Sequence, residues 1–460
     1  MKPKNRQSSH QKTALVVGAC TAFITSFFGS ALNLSIPELG NHFHMGAASV
    51  GWIITAYMLI VASCSVPFGK MADSTDRRRV LLIGVCVFGL ASLCAIFSPN
   101  AVFLLILRIV QALGASMIFA TNMPIAMSAF PGRERGKVIG IVTTGTYVGL
   151  AVGPVLGGIL NNHFGWKSIF LFGALVSLFA LCVSLRGLEK EKGQQAPVKQ
   201  DLPGNLLYIL MIAALIYGLT VLNTMSFAWL LLVAAVALGF LFVKWELKTE
   251  SPVIDVRIFA IDRVYTLSNF TALFNYSATF ALGYLVSIYL QVVMGFSSQT
   301  AGIILIAQPF FMALLSPKMG KLSDHVPPYK LASGGMGLCA LALLFFVFLR
   351  ADTPVLAIVL ALAVAGVGIA LFSSPNTNVI MGCVPPAKFG VANTILATMR
   401  TTGQSTGMAI ITLVVSAMVG NISLYEIPPE TLIRTIHTAF TVFTVLCVLG
   451  IFMSLQRRKS

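Results

Sequence analysis

Apolar runs of about twenty residues, parted by short polar turns, fill this chain from end to end. About 20 apolar residues in helix cross the hydrocarbon core of a bilayer. That ruler predicts spans at 13–36, 49–68, 79–98, 101–126, 138–160, 166–185, 205–223, 227–246, 265–291, 300–318, 331–349, 354–378, 391–417 and 435–455. No strand-length alternation suggests a membrane barrel, so the expected fold is all-α with fourteen transmembrane helices. One long hydrophilic linker, Gly187 to Gly204, interrupts the series. It divides the chain into a six-helix unit (1–200), a two-helix insert (201–250) and a second six-helix unit (251–460).

The most conspicuous polar turn is Gly69-Lys70-Met71-Ala72-Asp73-Ser74-Thr75-Asp76-Arg77-Arg78-Arg79. Its three consecutive Arg cannot enter hydrocarbon, so it is read as a tight hairpin at a membrane face. A shorter echo, Gly320-Lys321-Leu322-Ser323-Asp324, lies in the second half. Two copies of one turn point to a duplicated bundle.

Composition agrees with the pattern. Hydrophobic residues make up 57% of the chain and charged ones 10%, against about 25% charged in soluble domains. The net charge of +16 raises the idea of nucleic acid, but the cations fall in alternate loops. One set of loops holds nearly all of them, and the other holds Lys167, Arg350 and Arg434. That bias orients a multi-pass protein with both termini cytoplasmic in the cytoplasmic membrane, and it excludes a basic groove. The polar start, Met1 to Lys12, precedes an apolar run too long for a cleaved signal, so the first span is expected to be retained. Eight Cys show no Cys-x-x-Cys pairing, so neither a metal site nor a disulfide framework is expected. With no nucleophile constellation or phosphate loop, an enzyme is not expected either.

Chemistry inside the membrane rests on a few groups. Arg400 falls near mid-bilayer and Arg108 shallower; a central Arg costs at least about 2.5–3.5 kcal/mol, so each should face a cavity or a partner. Arg400, Gly403, Gln404 and Gly407 share one helical face. The acids and the six His fall in loops or at span ends, so the residues assign no proton relay. Asn33, Gln111, Asn122, Tyr147, Asn275, Gln291, Asn376 and Gln404 lie at helical depth, each readable as interhelical glue or as substrate contact. The fifth span carries Gly145, Gly149, Gly153, Pro154, Gly157 and Gly158, a device for close packing and bending.

These motifs resemble the major facilitator superfamily, and within it the fourteen-span drug:proton antiporter group. Gly69-x-x-x-Asp73-x-x-x-Arg77-Arg78 is similar to that family's loop signature. Trp52-x-x-Thr55-Ala56-Tyr57, Arg108-x-x-Gln111, Tyr289-Leu290-Gln291 and Arg400-x-x-Gly403-x-x-x-Gly407 resemble further group patterns. Gly149-x-x-x-Gly153-Pro154-x-x-Gly157-Gly158 resembles the antiporter helix motif of exporters. The chain departs from the pattern at Phe28, where an Asp is usual, and at Ser74, Asp76 and Ala112. The resemblance implies two six-helix bundles that rock about a central site, with Gly69, Asp73, Arg77 and Arg78 as the gate. Asp73 is expected against the N-terminus of the helix starting near 391. The expected activity is export of amphipathic drugs or toxic compounds, driven by the proton gradient without a cofactor. The candidate cavity comprises Asn33, Tyr57, Arg108, Gln111, Asn122, Tyr147, Asn275, Gln291, Asn376, Arg400 and Gln404. Two internal Arg without an internal acid favour neutral or anionic substrates. The implied partners are an amphipathic small molecule, protons and the bilayer, with the chain a monomer that binds no nucleic acid. A metabolite uptake carrier or uniporter of the same fold is the alternative, and a non-transporting membrane sensor a more distant one.

Overall fold

The computed structural model describes residues 3–35, 39, 42–43, 47–130, 134–188, 200–222, 225, 227–418 and 429–457. Every expected span is matched by a helix. The first half holds α1 (Pro3–Ala31), α2 (Ala47–Ser74), α3 (Arg77–Ala95), α4 (Ala101–Ser128), α5 (Arg135–Phe164) and α6 (Lys167–Gly187). The insert is α7 (Leu202–Thr220) and α8 (Ala228–Glu246). The second half holds α9 (Arg263–Ile288), α10 (Ser298–Leu305 and Ala307–Leu322), α11 (Pro328–Val347), α12 (Val355–Gly382), α13 (Phe389–Met418) and α14 (Pro429–Leu455). Among the described residues twelve of these are long and apolar enough to cross a membrane. The other two, α2 and α13, have the length, 28 and 30 residues. The middle of α13 is polar from Thr398 to Thr406.

Local chemistry sets the helix ends. Asn100, Asp201 and Asp262 each accept a backbone N–H of the first turn of α4, α7 and α9, satisfying donors that a helix start leaves orphaned. Gly165 closes α5 at φ 75°, a conformation that costs other residues steric strain. Three of the boundaries that differ from expectation bear on candidate residues or on the chain's start. The polar segment before residue 13 is already helical, because a helix satisfies its own backbone whether or not lipid surrounds it. α1 ends at Ala31, so Asn33 falls in the turn Leu32–Ser35, and its side chain lies outside the described residues. The expected hairpin Gly69–Arg79 is mostly helix: α2 continues to Ser74, and only Thr75 and Asp76 turn the chain before α3.

Glycine sets the packing, and it does so twice. A Cβ on Gly145, Gly149 or Gly153 would strike Ala19, Phe23 or Ser30 of α1, and one on Gly157 would stand 2.8 Å from Ala31 Cβ. The four glycines therefore form the groove in which α1 lies on α5. In the second half, Gly403 and Gly407 of α13 approach Leu273 O and Ser277 O of α9, each at 2.5 Å from where a Cβ would be. Gly84 and Gly114 join α3 to α4 as Gly335 and Gly368 join α11 to α12. The same helix pairs meet through the same device, as duplication requires. Of the insert, α7 packs on α2 and α13, and α8 packs on α7. α8 turns Trp229, Val233, Val236 and Phe240 outward, a face suited to lipid.

Gly149→Val tests the groove. The obstacle is the Phe23 backbone, which cannot swing aside, so overpacking should cost about 1–3 kcal/mol. We expect a clear drop in the thermal unfolding midpoint of the purified protein. Gly29→Val, at a position with nothing within 4 Å, should leave the midpoint unchanged. Equal midpoints for the two variants would refute the assignment.

Candidate functional site: a doubled gate and a central arginine

The two copies of the turn motif do the same thing. Asp73, at the end of α2, accepts the N–H of Gly390 at 3.0 Å and of Val391 at 2.9 Å. Asp324, at the end of α10, accepts the N–H of Gly136 at 2.7 Å and of Lys137 at 3.1 Å. Each carboxylate thus caps the first turn of a helix from the opposite half, where orphan donors and the positive dipole end favour an acid. Glycine permits both approaches. A Cβ on Gly390 would meet Asp73 Oδ1 at 2.6 Å, and one on Gly136 would meet Asp324 Oδ1 at 2.8 Å and also Gly320. Gly69 packs equally closely on α13: a Cβ there would stand 2.8 Å from Thr394 Oγ1.

Arg77 locks the first copy. Its guanidinium donates to Asp73 Oδ1 at 2.8–2.9 Å and to the Pro386 carbonyl. Both side chains are buried, at 8% and 7% exposure, and buried ion pairs of this kind hold geometry tightly. Asp73 lies beyond the apolar stretch 49–68. Burial pushes its carboxyl above the usual carboxylate range, while Arg77 and the Val391 and Gly390 amides pull it back. Arg78 donates to the Leu185 carbonyl within its own half at 3.4 Å. Further bonds cross the same end: Asn393 Nδ2 donates to Phe119 O at 2.7 Å, and Arg135 lies over the Phe389 ring at 5.5 Å. This end of the molecule is closed.

α5 and α10 touch at Gly136, Gly140, Ser316 and Gly320, then diverge. A cavity of about 450 Å³ opens between them, lined by Pro154, Gly158, Asn161, Gln299 and Ile303 among others. Pro154 and Gly158 of the antiporter helix motif thus face this cavity, while Gly149, Gly153 and Gly157 serve the α1 groove.

Between the two ends lies Arg400. With Asn122, Thr143, Thr146, Ser373 and Thr377 it lines a small central cavity of about 30 Å³. Its guanidinium lies over the Tyr276 ring at 5.2 Å, a cation–π contact. Its Nε is buried without a hydrogen-bond partner. Tyr276 O–H pairs with Ser373 at 3.1 Å. Tyr147 points its buried hydroxyl at this group without completing a hydrogen bond of normal geometry. Gln404 follows one turn later on α13, half-buried.

The remaining candidates are not brought to that centre. Arg108 is buried among α2, α3 and α4. It donates to Ile53 O at 3.2 Å and to Gln111 Oε1, and it lies 4.4 Å from the Tyr57 ring centre. Gln111 in turn donates to Ser92 at 2.7 Å. Arg108, Gln111 and Tyr57 form one interhelical lock. Asn376 donates to Ser268 O at 3.2 Å and accepts from Arg457, bracing α9, α12 and the end of α14. Asn275 is buried on α9 beside Cys339 of α11. Gln291 sits on the π-turn Tyr289–Val293 and donates to Ser287 at 2.9 Å.

Sequence reasoning misses two groups and leaves a third, Asp324, without a role. Arg457 reads as a terminal loop cation, yet it is 2% exposed and bonded to Ser268, Asn376 and Ser454. Tyr276 gives no signal apart from its place next to Asn275 and one turn before Thr279. Asp324 was visible as part of the echoed turn, and the shared Gly-Lys-x-x-Asp spacing was the clue to its role.

The chain matches the Major Facilitator Superfamily over residues 18–262 and 268–460, and it belongs to that family. It is 31% identical over 401 residues to the riboflavin transporter RibZ of Clostridioides difficile (strain 630), across 87% of each chain. It is 30% identical over 420 residues to the multidrug resistance protein Stp of Mycobacterium tuberculosis, across 88% of this chain and 76% of that one. The crystal structure of the human organic anion transporter MFSD10 (TETRAN) shares the fold, with TM-score 0.67 and 16% identity over 99% of this chain and all of the other. The protein is a membrane transporter and not an enzyme.

Proposed function

We propose that this transporter exports amphipathic small molecules by alternating access, in exchange for protons. The observation that carries the reading is the asymmetry of closure. Two aspartates from one duplicated motif seal one end across both halves, while a cavity parts α5 from α10 at the other. Two halves joined by such capping contacts can rock, since each contact is local and polar and can re-form. With the cation-rich loops placed in the cytoplasm, the sealed end faces inward and the open cavity outward. The protein then sits in the cytoplasmic membrane with both termini inside. It works as a monomer, without a cofactor and without nucleic acid.

Arg400 is the proposed anchor for substrate, with Tyr276, Tyr147, Asn122 and Gln404 around it. A guanidinium on an aromatic face suits a neutral or anionic, planar compound. The similarity to a multidrug resistance protein supports export. A second reading, carriage of a vitamin-like aromatic compound, is favoured by the similarity to a riboflavin transporter. Flux into inverted vesicles, across a panel that includes riboflavin, dicationic antiseptics and anionic dyes, decides between them. Uptake that requires an inside-acid gradient and favours neutral or anionic compounds is expected. Flux of riboflavin alone, independent of any pH gradient, would replace export by the carrier reading.

A further inference from the structure

The two-helix insert holds a pair of buried acids. Asp201 caps α7 and Glu246 ends α8, and the two are 7% and 2% exposed. Asp201 accepts the Gly204 N–H at 3.0 Å, and both its oxygens accept the Trp245 indole N–H at 3.0 Å. Glu246 Oε2 accepts the Ile254 N–H at 3.1 Å. Glu246 Oε1 is buried and has no partner. It lies over the bare Cα of Gly204, where a Cβ would stand 2.6 Å from it and would also strike Asp201 Oδ2. The two carboxyls therefore face each other across one glycine.

Two ionised carboxylates cannot share such a site cheaply, and the usual outcome is one proton between them. A proton on Glu246 Oε1 turns the orphan acceptor into a donor aimed toward Asp201 Oδ2. The groups facing Glu246 from its neighbours are Asp201 at the start of α7 and Lys70 on α2. Lys70 also feels Asp73 of the gate and Lys388. Lys70, Asp73, Val253, Lys388 and Val391 line one cavity of about 480 Å³ that joins the segment after the insert to the gate.

We propose that Asp201 and Glu246 form a protonation site which holds one shared proton and communicates with the Asp73 gate through Lys70. Losing the proton leaves two negative charges that draw Lys70 toward the insert. Gaining it frees the Lys70 charge for Asp73. The insert thereby supplies the titrating carboxyl that the described central cavity lacks. The site itself stands on the geometry of α7 and α8; its part in coupling rests on the antiport reading above.

The test uses the full chain in lipid nanodiscs with Trp52, Trp166 and Trp229 replaced by Phe, so that Trp245 reports alone. We expect its emission to change in one pH-dependent transition, as a carboxyl pair sharing a single buried site does when its proton is lost. Glu246→Gln should abolish the transition and Glu246→Asp should keep one. Lys70→Met should move the midpoint up, because a nearby cation favours the ionised pair. Infrared difference spectra of the chain with all its Trp give a second readout, a protonated-carboxyl band that Glu246→Gln removes. Flat emission together with no such band, or a transition that Glu246→Gln leaves unchanged, overturns the site. In vesicle flux, Glu246→Gln is expected to remove the dependence on the pH gradient; full dependence in that variant overturns the coupling role. A wild type whose flux ignores the gradient removes the antiport reading, and the titration still decides the site.

Discussion

Asp73→Asn combined with Asp324→Asn is expected to open the sealed end and reduce net transport by about 100-fold, with membrane insertion intact. Each aspartate accepts two backbone N–H groups from a helix start in the other half. A hydrogen bond to a charged group contributes about 1.5–3 kcal/mol, and the helix end itself about 0.3–2 kcal/mol. Asn keeps the shape and part of the hydrogen bonding but loses the charge. Allowing about 1.5 kcal/mol per site, the pair removes about 3 kcal/mol, or two decades in the closed-to-open ratio. The readout is maleimide labelling of Thr146→Cys, which lines the central cavity, with reagent applied from the sealed end. Labelling should accelerate strongly in the double variant and less in either single one. Asp76→Asn is the control, since Asp76 caps α3 within its own half. Wild-type labelling and wild-type flux in the double variant would remove both aspartates from the mechanism.

The two internal arginines should separate cleanly. Arg108→Leu is expected to destabilise the fold by about 3–5 kcal/mol, the cost of breaking a buried charged network from one side. It strands Gln111 and the Ile53 carbonyl, both bonded by Arg108 now. Arg400→Gln should leave the unfolding midpoint level or raise it, because it removes a buried Nε that has no partner. The same change should lower flux by about 100-fold or more, since the central cavity loses its cation. Thermal unfolding of each purified variant, paired with vesicle flux, tests both halves of the claim. An Arg400→Gln protein that unfolds early yet transports normally would make Arg400 a structural residue and empty the proposed site.

What was legible before folding follows from physical range. Span positions depend on runs of apolar residues, and the helices fall on them within a few residues. The gate motif was legible because its parts are contiguous: Asp73 and Arg77 lie one helical turn apart across Thr75 and Asp76. The four-residue glycine spacing of α5 announced close packing, although not which helix would occupy the groove. Of the residues around the central cavity, the sequence singles out Arg400 and Asn122, with Tyr147 beside them. Arg108 and Asn376 carried the same polar signal but answer to partners 55 and 81 residues away, which no local pattern encodes. Asp201 and Glu246 looked like helix-end acids for the same reason.

The sequence by itself determined the lipid environment, the helix count, the duplication and the family, because each follows from composition or from short repeated spacings. The tertiary structure alone decided which end is closed, which arginine is braced and which is left facing a cavity, and that the insert brings two acids together. Those outcomes depend on side chains far apart in the chain meeting at distances of a few ångströms, where a single glycine or a single unpartnered oxygen sets the energy.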